Sequence, residues 1–526
     1  MSTPQLESAL RDLPKHGRLV KDRGYRQVWR FEVGGRAYYL KFYPRHGQRD
    51  AWRRLFRGSP AFREFERLQR LQRAAIPSPR AVAYLAGLRV EERLGDAVIL
   101  EALEPSVQLD EYLNDHELRG QPVRDRPRLA KQVMQLVYDL GKAKLGHEDL
   151  HLGNFLLHDG KVHLLDGYAV RPGGMTSADM FRFAHGAARF ATRTELIRGW
   201  RLLRPDEPMP RQNPLSAAIW RNWLQRVTGD NRYFGRLDTG DGWRGLFFKQ
   251  AKYPRPWSNV SRMTFTHAEW EHEWPQLLRR IEADQLDVIK RSRSGDVLSG
   301  SLTLGGRPLG VVIKRPRRRY WYRYLNEIGR GARARRAWMK AWKMIFRNVP
   351  SAWPLLMMER RKLGYVVDTI IVFERVPGPT LAKVDLDALP SGRRNMLLRR
   401  VGRILRRIES LGFSHFDAKA SNWIVLPDDG RRGETPVLVD IDGIRQRRWV
   451  ALGIQRLLKS MRSHPQYTPD DSLALCQGYA PFSRMEREAG EGDAAGSDAV
   501  TQEDSDSDSV TESRHGVTSS SGEGNV

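Results

Sequence analysis

One polar loop occurs twice in this chain, with the same residues at the same spacing, and that repeat constrains the fold more than any other feature. LGHEDLHLGNFLLHDGKVHLLDG runs from Leu145 to Gly167, and LGFSHFDAKASNWIVLPDDGRRGETPVLVDIDG runs from Leu411 to Gly443. Each copy reads as a polar loop, an apolar strand, a glycine-containing turn and a second apolar strand that ends in aspartate. A segment with helical periodicity precedes each loop, RLAKQVMQLVYDLGKAKLG in the first case and RRNMLLRRVGRILRRIESLG in the second. The repeat is far too long for a solenoid and marks a duplicated unit.

The duplication extends upstream. VWRFEV and AYYLKFY flank Gly34-Gly35, while SGSLTL and PLGVVIK flank Gly305-Gly306, and both patterns predict β-hairpins. Each second strand carries a lysine, Lys41 or Lys314. Amphipathic segments follow: GSPAFREFERLQRLQRAAIPSP, with Glu64 23 residues beyond Lys41, and GARARRAWMKAWKMIFRNVPSAWP, with Ala337 23 residues beyond Lys314. With 526 residues the chain is too long for one ordinary core. The expected units are 1–230 and 283–486; helical residues 176–228 complete the first, and the Trp-rich stretch 231–282 is a connector or extra segment. Residues 487–526 form a Ser-, Gly-, Asp- and Glu-rich tail without aromatic residues, a composition that predicts disorder.

The loops share the pattern H-x-D-x4-N…D: His147, Asp149, Asn154 and Asp166, then His415, Asp417, Asn422 and Asp440. Phosphoryl transfer calls for these residue types. A carboxylate orients an attacking hydroxyl and accepts its proton, while an amide oxygen and a second carboxylate are hard ligands for Mg²⁺. A strand lysine holds phosphate oxygens and a helix glutamate positions that lysine. A lone H-x-D-x4-N is weak, since Asp and Asn also cap turns. Strand lysine, helix glutamate, loop and second aspartate in that order, twice, form a far more specific signal.

The chain resembles the lipopolysaccharide core kinases, the family of heptose kinases and 3-deoxy-manno-octulosonic acid (Kdo) kinases. The resemblance rests on AFREFERLQRLQRAAIPSPRAVAYLAG, HEDLHLGNFLL and LLDG, and on KRPRRRYWYRY, HFDAKASNWIV and VDIDG; it covers both units and excludes the tail. It implies an α+β fold of two tandem protein-kinase-like bilobal domains, each a small β-rich lobe plus a helical lobe. It also implies transfer of the ATP γ-phosphoryl group, with Mg²⁺, to a lipid-linked sugar. By this resemblance Asp149 and Asp417 are the bases, Asn154, Asp166, Asn422 and Asp440 the metal ligands, Lys41 and Glu64 the ATP-positioning pair, and Lys314 the phosphate lysine of the second unit.

The departures from that pattern matter. KDRGYRQV (21–28) and KRSRSGDV (290–297) stand where protein kinases carry G-x-G-x-x-G. Glu148 and Phe416 replace the arginine of H-R-D, which argues against control by activation-loop phosphorylation. Neither unit has the D-F-G glycine, and Asp442 rivals Asp440 as a ligand. His151 gives D-x-H, as in small-molecule kinases, and Lys419 gives D-x-K, as in protein kinases. Ala337 leaves Lys314 without its helix carboxylate unless Glu327 serves, so a weakened second unit is expected. His147 and His415 read as braces of their loops, and Trp338 and Trp342 as core residues.

The formal net charge is +27, although the stretch Glu488–Val526 holds ten acidic residues and one arginine. The remainder is therefore strongly basic and attracts anions. An anionic membrane surface is the favoured partner, nucleic acid the less favoured one, and RPRRRYWYRY (315–324) the candidate contact. One cysteine, Cys476, fits a reducing compartment, and no apolar run is long enough to span a bilayer. The N-terminus lacks the apolar stretch of a signal peptide, so the expected location is cytoplasmic, peripheral at the inner membrane face. The alternatives are a protein or small-molecule kinase of related fold and a basic binding protein built on pseudokinase units.

Overall fold

Alternation along the first strands sets the geometry of the N-terminal sheet. A computed structural model of the chain describes residues 9–10, 13–209, 213–317, 332–362, 365–446 and 451–479. Strands β1 (Arg18–Asp22), β2 (Gln27–Val33) and β3 (Arg36–Pro44) are followed by helices α1 (Gly47–Arg57) and α2 (Pro60–Arg73), then by β4 (Ala81–Val90) and β5 (Arg93–Glu101). The sheet is antiparallel, in the order β1-β2-β3-β5-β4. Trp29, Phe31, Tyr38, Leu40 and Phe42 fill one face. The period of two then turns Lys41 and Tyr43 to the other face, against α2. Proline at its first turn starts α2, whose Ala61, Glu64, Leu68 and Leu71 are buried at helical spacing.

A helical lobe follows, with α3 (Leu109–Arg119), α4 (Arg126–Lys142), short strands β6 (Leu145–His147), β7 (Phe155–His158), β8 (Lys161–Leu164) and β9 (Val170–Pro172), and helices α5 (Ser177–Ala187), α6 (Arg193–Leu203) and α7 (Ser216–Arg226). The polar loop spans β6 to β7. β6 pairs with β9 and β7 with β8, so two small ladders hold the loop. Leu136, Val137, Leu140, Leu145, Phe155 and Leu164 pack together beneath it.

The chain then repeats this plan with an addition. β10 (Phe234–Asp238), β11 (Trp243–Phe248) and α8 (His267–Glu282) precede β12 (Asp287–Ser292), β13 (Gly295–Leu304), β14 (Arg307–Pro316), α9 (Arg333–Phe346), β15 (Pro354–Lys362) and β16 (Tyr365–Glu374). The order β12-β13-β14-β16-β15 copies the first sheet, and β11 and β10 extend it beyond β15. The likeness reaches single residues. Lys41 faces Val28 and Val98 across the ladder, and Lys314 faces Val297 and Ile371. The edge strand of each sheet has the same register shift, between Leu19 and Lys21 and between Val288 and Lys290. Gly34-Gly35 and Gly305-Gly306 all have positive φ, as a two-residue hairpin turn requires.

The stretch 231–282 thus contributes two strands to the second sheet, and its aromatic residues build the second core. Trp243 and Trp274 are fully buried with ring centroids 5.2 Å apart. Trp338 and Trp342 are buried on α9; Trp342 meets Phe234, Phe248 and Trp353 at 4.8, 5.3 and 5.2 Å. Each such ring removes roughly 150–250 Å² from water.

The second helical lobe comprises α10 (Ser391–Ser410), β17 (Ser414–His415), β18 (Trp423–Leu426), β19 (Thr435–Leu438), β20 (Ile444–Arg445), α11 (Leu452–Met461) and α12 (Pro469–Tyr479). The two halves touch directly. Trp338 Nε1 donates to Val227 O at 3.2 Å, and Tyr253 OH donates to Asp110 Oδ2 at 2.7 Å. Arg431 donates to Arg119 O, and Arg432 to Glu117 O and Leu118 O, placing two guanidinium groups at the carbonyl end of α3, where cations are favoured. Glu327, Arg318, Arg319, Trp321, Tyr322, Arg323 and the acidic tail lie outside the described residues.

Candidate active site

The first loop is held by backbone bonds and by the Asn154 amide, which leaves the Asp149 carboxylate facing outward. Asn154 N donates to His151 O at 2.8 Å, Asn154 Nδ2 to Asp149 O at 2.7 Å, and Leu165 N to Asn154 O at 2.7 Å. That network uses the Asn154 amide nitrogen and leaves its oxygen for a ligand. The Asp149 side chain is 71% exposed, with His151 Nε2 3.6 Å away. The His151 ring is the chief cause that holds the Asp149 carboxyl below the usual aspartate range. His147 is completely buried, and desolvation pushes its pKa down, which suits a brace rather than a base.

Above the loop, Lys41 Nζ lies 2.5 Å from Glu64 Oε1, and Tyr43 OH donates to Glu64 Oε2 at 2.5 Å. Glu64 is 0% exposed, so both oxygens depend on these partners. Asp166 has a left-handed backbone and stands across from Arg26, whose Nη1 is 3.7 Å from Oδ1. That Oδ1 is buried without a hydrogen-bond partner, and an orphaned carboxylate oxygen fits a cation. Asn154 and Asp166 are therefore suitable Mg²⁺ ligands.

The second loop has the same backbone frame. Asn422 Nδ2 donates to Asp417 O at 2.7 Å and Val439 N to Asn422 O at 3.0 Å. His415 is buried, bonded through Nε2 to Asp440 O, and burial lowers its pKa to about 4. The side-chain chemistry differs. Lys419 Nζ sits 3.2 Å from Asp417 Oδ2, and Lys314 Nζ sits 3.2 Å from Asp440 Oδ1. Burial opposes ionisation of Asp440, but the Lys314 charge together with the hydrogen bonds from Asp442 N–H and Lys314 outweighs it, and the carboxyl stays below the usual range. Asp442 is exposed, and its backbone N–H also bonds Asp440 Oδ1.

The two helices align without slippage. Arg67 on α2 donates to Tyr168 O, and Lys340 on α9 donates to Asp442 O; the acceptors stand two residues beyond Asp166 and Asp440. Ala337, 7% exposed, thus occupies the place of Glu64. The strand register puts Pro316 opposite the role of Tyr43, and Gly295 where the first unit has Arg26. Arg26 and Tyr43 are absent from the sequence-derived site. The signal that finds them is a unit-to-unit comparison in ladder register, which places Tyr43 beside Pro316.

Residues 14–167 match the Lipopolysaccharide kinase (Kdo/WaaP) family. The matched stretch contains Lys41, Glu64, Asp149, Asn154 and Asp166. The chain is 28% identical over 156 residues to the lipopolysaccharide core heptose(I) kinase WaaP of Pseudomonas aeruginosa, covering 29% of this chain and 58% of that relative. It is 28% identical over 147 residues to the enzyme of the same name from Escherichia coli, covering 27% and 55%. The chain therefore spans little more than half the length of these curated relatives. A solved structure titled "WaaP in complex with acyl carrier protein" aligns with 42% of this chain and 88% of its own, at 24% identity and a TM-score of 0.30.

Proposed function

We propose that this chain, whose residues 14–167 carry the sequence of the lipopolysaccharide kinase (Kdo/WaaP) family, transfers the γ-phosphoryl group of ATP to a hydroxyl of a lipid-linked core sugar. The observation that carries the reading is the Lys41–Glu64 pair at 2.5 Å within the family-matched stretch, on the same unit as an exposed Asp149. Lys41 holds nucleotide phosphate oxygens and Glu64 fixes its position. Asp149 orients the sugar hydroxyl and takes its proton. Asn154 and Asp166 hold Mg²⁺, which neutralises charge on the nucleotide phosphates when bound. The units are a tandem duplication, with the second starting near β10 and contributing little chemistry because Lys314 and Asp440 neutralise each other.

The site of action is the inner membrane face. Among the described residues no helix is long and apolar enough to cross a bilayer. Helix α1 offers a peripheral anchor: Trp52, Leu55 and Phe56 are 63%, 75% and 75% exposed and Arg57 closes the helix, while Arg45 and Arg54 pair with Asp96. Exposed apolar rings among basic residues suit the headgroup region of an anionic leaflet. Arg317, the one described member of the basic run 317–319, pairs instead with Asp296 at 2.7 Å.

The test is radiolabelled-ATP transfer to fractionated membrane glycolipids, with protein and nucleic acid as competing acceptors. Label in the glycolipid fraction, lost in Asp149→Asn, is the expected result; label in protein alone refutes the sugar-kinase reading.

A further inference from the structure

Asp149 and His151 open onto a cleft of about 590 Å³ between the two halves of the chain. Lys41, Asn154 and Asp166 do not line it, although Arg23 does. Its far wall is the segment 250–255, which follows β11. That wall is tied down by Tyr253 OH, which bonds Asp110 Oδ2 at 2.7 Å at the start of α3.

The cleft holds basic side chains with donors that the protein leaves unused. Arg255 is 5% exposed, and its Nε and Nη1 are buried with no hydrogen-bond partner. Arg189 uses Nη2 on Asn114 and Glu117, yet its Nε and Nη1 are also buried and unpartnered. Lys252 has no carboxylate within ion-pair distance among the described residues, and its ammonium lies 4.7 Å from the Tyr253 ring centroid. Burial lowers the pKa of Lys252, and Asp110 and Asp149 oppose that shift. Buried guanidinium N–H groups without acceptors are destabilising unless an anion meets them. Trp220 and Trp223 line the same cleft and offer flat apolar faces.

We propose that this cleft is the acceptor subsite, and that Arg189, Lys252 and Arg255 bind a carboxylate or phosphate borne by the acceptor sugar while its hydroxyl faces Asp149. The reading rests on the proposed kinase activity for the role of Asp149, and it makes the extra segment of the second half part of the first half's site. The planar guanidinium forks take the anion's oxygens in pairs, Lys252 adds a point charge, and the aromatic faces take the sugar's C–H surface. Discrimination follows from chemistry: a neutral sugar leaves the guanidinium groups unpaired and is rejected.

The test is calorimetric titration of the full chain with glucose 6-phosphate, glucuronate and glucose, each with and without saturating AMP-PNP. Glucose 6-phosphate and glucuronate separate phosphate from carboxylate recognition, and binding of either one with rejection of glucose supports the subsite. Lys252→Ala and Arg255→Gln should each weaken the anionic sugar roughly tenfold or more, as expected for loss of a charged hydrogen bond, and leave AMP-PNP affinity unchanged; Lys252→Arg should retain binding. If Arg255→Gln does not fold, Lys252→Ala, at a less buried position, decides. Equal binding of glucose, displacement of the anionic sugar by AMP-PNP, or indifference to Lys252→Ala overturns the proposal. Lys252-dependent sugar binding in a chain that transfers no phosphate upholds the subsite and sinks the kinase reading. Phosphate transfer unaffected by Lys252→Ala does the reverse.

Discussion

Lys314 Nζ lies 3.2 Å from Asp440 Oδ1, whereas the corresponding lysine of the first half, Lys41, lies 2.5 Å from the helix carboxylate of Glu64. A strand lysine needs a fixed anion. Where Ala337 removes the helix carboxylate, the lysine turns to the aspartate that would otherwise serve metal. The replacement is concerted, since Pro316 stands where Tyr43 supplies the second bond to Glu64.

Tyr43→Phe tests that network in the first half. It strips one donor from a fully buried carboxylate, at a cost of about 1–3 kcal/mol. Denaturant melts should show that loss, and ATP titration should show weaker binding because Glu64 is then free to leave Lys41. Unchanged stability and affinity would mean that the hydroxyl does not hold Glu64.

Glu374 gives a pH signature to the second half. Burial pushes its carboxyl up to about 8, against the hydrogen bonds from Ser258 and from the Trp353 and Val260 N–H groups. The folded group keeps its proton where the unfolded group, near 4.3, has lost it. Its contribution is full at acid pH and declines as pH rises from about 4 to 8, by at most about 1.4 kcal/mol per pH unit. Glu374→Gln should flatten the fall in apparent Tm between pH 5 and 8. A wild-type Tm that rises across that range, with no change of slope in the variant, would show that Glu374 ionises freely.

The proposed membrane attachment uses the exposed face of α1. Leu55→Glu with Phe56→Glu removes two apolar groups and adds two charges of the repelled sign on an anionic leaflet, where each basic residue is worth about 1 kcal/mol. Co-sedimentation with vesicles of phosphatidylglycerol and phosphatidylethanolamine should drop sharply, while ATP affinity stays constant. Retained sedimentation places the membrane contact elsewhere on the chain.

The sequence shows the two loops, the hairpin lysines and the Lys41-to-Glu64 spacing because phosphoryl transfer fixes residue types at short separations. Asn154 and Asp166, although 12 residues apart, could be read because one glycine turn joins their strands. Arg26 and Tyr43 could not. Arg26 falls out of step because the second hairpin is longer than the first, and Tyr43, two residues past Lys41 as Pro316 is past Lys314, gains its meaning only where the fold brings its hydroxyl to Glu64. The stretch 231–282 stayed opaque for a different reason. Its strand β11 pairs with β15, more than a hundred residues onward, and Phe234 and Phe248 pack on Trp342 of α9, long-range contacts that local periodicity does not reveal. The cleft is likewise invisible in sequence, because Asp110 and Tyr253 meet only through the packing of the two halves.

The central claim is the asymmetry between the two sites, and parallel turnover measurements on Asp149→Asn and Asp417→Asn, using one glycolipid acceptor and saturating ATP, test it most directly. Asp149→Asn should lose roughly 10²–10⁴ in turnover, as expected for removal of a general base, with nucleotide binding retained, while Asp417→Asn stays near the parent rate. The opposite ranking, or equal losses in both, would contradict the account by showing that Lys314 and Asp440 support catalysis without a helix carboxylate.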